Sequence, residues 1–294
     1  MPEASLDKEK RRILIQRIQE LPTLPSTISK IIELVESKSS TSEDLARVIS
    51  KDQSISSLII KLVNSAFYGH MRQISSISHA IVILGYTTVR TMALGVSIFN
   101  ASPGKKAAAF DRGKFWIHSI GVATITRRIA THTPARDGLD MESVFLSGLL
   151  HDIGKVIFDH YFNKEYEEIA RSAAQKHEWI GDSESSFFGI NHSEAGYYLA
   201  QKWQFPSTVI SAIKHHHNPE LCEGEAERAM ACMVNLADYL CRKASIGSGG
   251  DNEQRPLDEQ ALSFLGISHA ALLEIAQEVE GDREMIESLT LDRK

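Results

Sequence analysis

Cysteine is scarce and poorly spaced for the roles that would need it. Only Cys222, Cys232 and Cys241 occur. No two of them form a CxxC pair, and an odd number argues against a disulfide framework. A reducing compartment fits best, so a cytoplasmic setting is expected. Long apolar runs are also missing. Stretches such as Ala80 to Leu84 fall far short of a membrane span. The opening of the chain carries Asp7, Lys8, Glu9, Lys10, Arg11, Arg12, Arg17 and Glu20. No secretory h-region fits among those charges, and no membrane partner is expected. There is no long basic run, and the net charge is −6. Nucleic acid is therefore not an expected partner. Alternating strand patterns are nearly absent, and no fixed-period repeat stands out.

What remains is an ordinary globular composition, 43% hydrophobic and 24% charged, in 294 residues. That length suits two domains, and the periodicity predicts an all-α architecture. Apolar residues at helical spacing run from Leu6 to Leu21, before Pro22 and Pro25 break the chain. Further helices are predicted at Ile28 to Ser37, from about Ser42 to Ser50, Gln53 to Ser65, Ile77 to Leu84 and Thr87 to Phe99. Gly85 stops the fourth of these. Ser102, Pro103 and Gly104 mark the best boundary, dividing residues 1–104 from residues 105–294. Beyond it, helices are predicted at Ala107 to His132, Met141 to Phe158, Lys164 to His177, Ser193 to Trp203, Pro206 to His216 and Glu227 to Ala244. Two more close the chain between Asp258 and Ser288. Ser245 to Pro256, rich in glycine, reads as a mobile loop.

Twelve histidines are present, and their placement matters more than their number. His151 and Asp152 sit in a segment, Val144 to Phe158, whose neighbours are nearly all apolar. An ionised carboxylate buried there costs several kcal/mol unless it is paired or bound to a cation. A metal ion is one solution and a hydrogen-bonded structural pair is the other. Asp238 meets the same problem between Met233 and Leu240. The run His215, His216 and His217 ends a helix before Asn218-Pro219, where the helix dipole favours cations. Taken singly, His118 reads as a core histidine, His192 as a helix-start residue and Lys155 as a surface or capping lysine. Together, His118, His151, Asp152, His192, His216, His217 and Asp238 form a series spread over separate helices, as a helical metal cage requires. Imidazole with carboxylate suits Fe, Mn, Zn or Ni and suits Ca poorly.

This series resembles the HD superfamily of metal-dependent phosphohydrolases. His118, His151-Asp152 and Asp238 match its four-ligand pattern, and His192, His216 and His217 match the additional histidines of two-metal members. The segments LPTLPSTISKIIELVE (Leu21 to Glu36), LARVISKDQSISSLIIKLVNSAFYG (Leu45 to Gly69) and ISSISHAIVILG (Ile74 to Gly85) resemble the HDOD module, a bacterial regulatory variant with an extra helical subdomain in front. The resemblance implies an N-terminal HDOD subdomain over 1–104 and an HD-like metal-binding domain over 105–294. It implies one or two divalent transition ions, Fe or Mn in the first place and Zn or Ni otherwise.

Two functions follow from it. One is a signal-transduction module with a retained metal site, whose partner is a signalling protein. The other is a metal-dependent phosphohydrolase acting on a nucleotide or another phosphorylated small molecule, with Asp152 bridging the ions and Lys155 approaching the phosphate. The chain departs from the cyclic-di-GMP phosphodiesterase branch. It reads Asn218-Pro219-Glu220 after the histidines, and Lys114 stands where some of those enzymes place a carboxylate.

Overall fold

The computed structural model describes residues 11, 12, 14–16, 18, 26–37, 40–64, 73–100, 110–250 and 255–289. Among them every regular element is helical and no strand occurs, as the periodicity predicts. Residues 11, 12, 14–16 and 18 are helical, within the expected first helix. Five helices follow: α1 (Ser26–Glu36), α2 (Ser42–Ser50), α3 (Gln53–Val63), α4 (Ile77–Leu84) and α5 (Tyr86–Asn100). Their ends are set by local chemistry. Thr41 and Asp44 cap α2 reciprocally, and Asp52 and Ser76 cap α3 and α4. Gly85, at φ 86°, ends α4 in a conformation that side chains disfavour. Asn64 accepts from the Ile74 amide at 2.7 Å and donates to the Ile74 carbonyl at 2.6 Å, tying the end of α3 to the approach to α4. The motif residues Leu21 to Pro25 and Ser65 to Gly69, and the boundary at 101–106, lie outside the described residues.

The second part contains α6 (Arg112–Thr131), α7 (Met141–Leu150), α8 (Ile153–Tyr161), α9 (Asn163–Lys176), α10 (Ile180–Phe188), α11 (His192–Lys202), α12 (Ser207–His215), α13 (Glu225–Lys243), α14 (Glu259–Phe264) and α15 (His269–Ser288). Phe115 to Thr126 of α6 are buried on every face, because α7, α13 and α15 surround them. Gly148 lets α7 approach closely: a Cβ there would lie 2.5 Å from the Ala123 Cα. No helix among the described residues is long and apolar enough to cross a membrane.

Four expectations need correcting. The helix expected from Ala107 starts at Arg112, since the Asp111 carboxylate accepts from the amides of Gly113 and Lys114. The single helix expected over Met141 to Phe158 is two, α7 and α8, broken at His151 and Asp152. Helix α10 lies in a stretch read without structure. The loop from Ser245 is packed down as far as Gly250: the Ser248 amide donates to the Lys114 carbonyl at 3.0 Å, and Ile246 is buried.

Candidate metal centre

The break between α7 and α8 builds the site. Two successive residues of a continuous helix diverge by about 100°. Here Asp152 leaves helical geometry, at φ −102° and ψ 17°, and makes no side-chain cap. Glycine then brings in the next helix. A Cβ on Gly154 would sit 1.9 Å from the His192 carbonyl oxygen, so only glycine lets α8 lie against the start of α11. Asn191 caps α11 and fixes His192 as its first residue. α12 ends at His215, which leaves His216 and His217 on its terminus. α6 contributes His118, and α13 contributes Asp238.

All seven residues of the expected series converge. Asp152 Oδ1 lies 3.2 Å from His192 Nε2 and 3.5 Å from His216 Nε2. Asp152 Oδ2 lies 3.3 Å from His151 Nε2. Asp238 Oδ1 lies 3.0 Å from His118 Nε2 and 3.9 Å from His151 Nε2. His192 Nε2 and His217 Nε2 are 2.9 Å apart. Four of the histidines and Asp152 are essentially sealed from solvent, whereas His217 and Asp238 each keep 8% exposure.

The tautomers follow from the outer contacts. His151 Nδ1 faces the Gly148 carbonyl at 2.8 Å, and His216 Nδ1 faces the Ile213 carbonyl at 3.0 Å. His192 Nδ1 faces Glu184 Oε2 at 2.6 Å. Carbonyls and carboxylates only accept, so each Nδ1 carries the proton and each Nε2 of a neutral ring presents a lone pair. These lone pairs point at Asp152. His151 Nε2, His216 Nε2 and Asp152 Oδ1 are buried with no hydrogen-bond partner. Orphaned acceptors facing one another are costly without a cation between them. The donor set therefore fits a divalent metal, in two groups that share Asp152: one with His192, His216 and His217, the other with His118 and His151.

The electrostatics agree. Burial pushes His216 down to about 4 and holds His217 well below the usual imidazole range, so both rings are neutral at physiological pH. Burial likewise lowers His118. Burial also disfavours charge on His151, but Asp152 outweighs it and the ring is raised. For Asp152, burial would raise the carboxyl, yet Lys155, His151 and His192 hold it well below the carboxylate range. Asp238 follows the same logic, with Arg242 as the first opposing charge.

Lys155, read singly as a surface or capping lysine, is fully buried. Its ammonium donates to Asp152 Oδ2 at 2.8 Å and to the Gly249 carbonyl at 2.9 Å. Glycine allows the packed loop this approach, because a Cβ on Gly247 would lie 2.3 Å from the His118 amide. Two participants were not anticipated. Glu184 is buried on α10, holds both the His192 amide and ring, and accepts from the Tyr166 hydroxyl at 2.9 Å. No sequence signal marks it. Arg242 pairs with Asp238 at 2.9 Å one turn along α13, and a basic residue four places after a buried carboxylate is a legible signal.

Comparison with known proteins gives a consistent picture. The HDOD domain family matches residues 21–219. An uncharacterised protein of Treponema pallidum is 25% identical over 207 residues, covering 70% of this chain and 39% of that protein. Ribonuclease Y of Thermus thermophilus is 30% identical over 168 residues, covering 55% of this chain and 23% of that protein. The chain thus spans well under half the length of either relative. Among solved structures, an HDOD domain protein of unknown function from Geobacter sulfurreducens is 25% identical. It covers 95% of this chain and 97% of its own, with a TM-score of 0.67. A candidate phosphohydrolase from Shewanella amazonensis is similar in fold, at 24% identity over 94% of this chain and 96% of its own, with a TM-score of 0.66.

Proposed function

This chain belongs to the HDOD family, and on that premise we propose that it is a metal-dependent phosphohydrolase acting on a phosphate ester. One observation carries the reading: His151 Nε2, His216 Nε2 and Asp152 Oδ1 are buried in one cluster without a hydrogen-bond partner. Asp152, His192, His216 and His217 would hold one ion, and His118, His151 and Asp152, with Asp238 beside them, a second. Fe or Mn is the proposed metal, with Zn or Ni as substitutes, since all accept imidazole and carboxylate. When bound, such an ion lowers the pKa of a coordinated water and offsets charge on a phosphoryl group. The chain's own residues prepare for it. Glu184 keeps the His192 proton on Nδ1, so Nε2 faces inward. Lys155 holds Asp152 Oδ2, which also faces His151, and leaves Oδ1 turned to His192 and His216. The contact of Lys155 with the Gly249 carbonyl favours a positioning role over an approach to the phosphate. Arg242 likewise offsets the charge of Asp238, although its Nε faces both carboxylate oxygens at 2.9 Å.

The likeness to ribonuclease Y adds phosphodiesters, RNA included, to the substrates to be screened, although the acidic charge argues against nonspecific nucleic-acid binding. Elemental analysis of protein purified without chelator, then a screen of phosphomonoesters, phosphodiesters, nucleotides and RNA with added Mn, tests the reading. Turnover lost in Asp152→Ala with the helical content intact is the expected result. Absence of any transition metal, or turnover that survives the substitution, refutes it.

A second reading has its own observation in favour. No member of the cluster exceeds 8% exposure, and both carboxylates already face a basic side chain. In that reading the ion is structural and the protein is a signalling module that contacts a partner protein. Metal retention without turnover on every phosphate ester would favour it.

A further inference from the structure

The inner cations of the site are committed. Lys155 serves Asp152 and the Gly249 carbonyl, and Arg242 serves Asp238. A phosphate ester approaching the cluster still needs a donor for its oxygens at the place where the cluster meets solvent. His217 lies on that edge, and Arg255 lies on His217. Arg255 Nη1 donates to the His217 carbonyl at 3.0 Å. Its guanidinium also sits 5.0 Å from the Trp179 ring centroid. Trp179 in turn stands edge-on to the His217 and His192 rings, at 4.8 Å and 5.9 Å. The indole is seated over Gly181, where a Cβ would meet three of its ring atoms within 2.6 Å.

We infer that Arg255 is the phosphate-binding, specificity-determining residue at the mouth of the metal centre. The inference rests on the phosphohydrolase reading and adds to it how an anionic ester is recognised. Arg255 is exposed, and among the described residues no carboxylate pairs with it. A guanidinium carries five N–H donors in a rigid fork that matches phosphate oxygens. Here one donor goes to a neutral carbonyl, while the stack on Trp179 and that single bond hold the fork in place. Less rotamer freedom is then lost when an anion docks than with a loose surface arginine. Lysine at this position would keep the charge and lose the fork.

The test uses the full chain loaded with Mn, freed of excess ion and titrated calorimetrically with inorganic phosphate. The expected result is that Arg255→Ala weakens phosphate binding by about tenfold or more, and that Arg255→Lys falls between it and the parent. Mn content and melting temperature stay those of the parent in both variants. Phosphate binding unchanged in Arg255→Ala overturns the inference and leaves the phosphohydrolase reading standing. So does a loss of phosphate binding that accompanies a loss of Mn or a lowered melting temperature, because Arg255 is then only a clip on His217. If the parent retains no Mn, the phosphohydrolase reading falls, and the titration is repeated on metal-free chain. There, binding that depends on Arg255 sustains an anion site at this position, and absent or Arg255-independent binding overturns it.

Discussion

Asp152 has two oxygens with different duties, and Lys155 is what separates them. Oδ2 faces the ammonium at 2.8 Å, and Oδ1 is left to His192 and His216. Removing one partner of a buried pair costs about 3–5 kcal/mol, because the other charge stays buried and uncompensated. Lys155→Met should therefore lower the stability of metal-free protein by about that much, while the same variant with Mn recovers part of the loss, since the ion supplies the missing positive charge. Chemical denaturation with and without Mn checks this, and a loss that Mn leaves untouched would argue against a metal at Asp152. The histidines set the pH response of the metal-free form. His216 titrates at about 4 in the folded chain against roughly 6.5 unfolded. Between those values the unfolded chain binds more protons, so the contribution of His216 is intact above about 6.5 and is lost as pH falls through 4. For one such group it amounts to about 3 kcal/mol at most. His118 and His217 are shifted in the same direction. His151 is raised and works the opposite way, favouring the folded state below 6.5. His160 and His215 are lowered by burial as well, so with five histidines against one, melting temperatures in chelator should fall from pH 7.5 to pH 5, and a flat or rising trend would contradict the neutral, buried assignment.

At the level of helices, the centre depends on where a helix stops. Gly154→Ala places a Cβ against the His192 carbonyl oxygen and the Gly196 amide, so α8 and α11 must separate or the change unfolds the chain. A destabilisation of several kcal/mol is expected, at the severe end for a single substitution. Mn binding should weaken in whatever folded protein remains, as calorimetric titration would show; an Ala variant with parent stability and Mn affinity would refute the close packing. This junction explains what the sequence revealed and what it hid. The helical class, most helix positions and the seven converging side chains were legible, because apolar periodicity is strong and ionisable groups in apolar segments stand out. The break at His151 was not. Leu149 and Leu150 precede it and Ile153, Val156 and Ile157 follow it, and periodicity alone cannot register a change of axis within such an apolar stretch. Helix α10 escaped because Ser183, Ser185 and Ser186 compete for their own backbone, and Glu184 escaped with it. The glycines after Ser245 read as freedom but serve close approach, with Gly247 against the His118 backbone and Gly249 against Lys155.

Across the whole molecule, one apolar core runs from Leu14 to Leu289. α5 packs on both α7 and α8, the helices that meet at Asp152. Arg90 adds a link by donating to the Gln204 carbonyl at 2.6 Å, and Trp116 Nε1 donates to the Leu289 carbonyl at 2.7 Å. A shared core predicts that the front helices and the metal-site helices unfold together. The tryptophans make this testable without any substitution. All three, Trp116, Trp179 and Trp203, lie beyond α5, so their fluorescence reports the metal-site part and, through the edge-on contact of Trp116 with Phe99, the end of α5, whereas far-ultraviolet circular dichroism reports every helix. The two melting curves should share one midpoint. An early loss of helix silent in fluorescence would show α1 to α4 melting alone and would disprove a common core. Mn at about a hundred times its dissociation constant stabilises the folded state by about 2.7 kcal/mol, which for a chain of this size raises the midpoint by roughly 5 °C. Because the helices that carry the ligands also anchor α5, both probes should move by the same amount. A shift seen in fluorescence alone would mean that occupancy of the centre is not felt by the N-terminal helices.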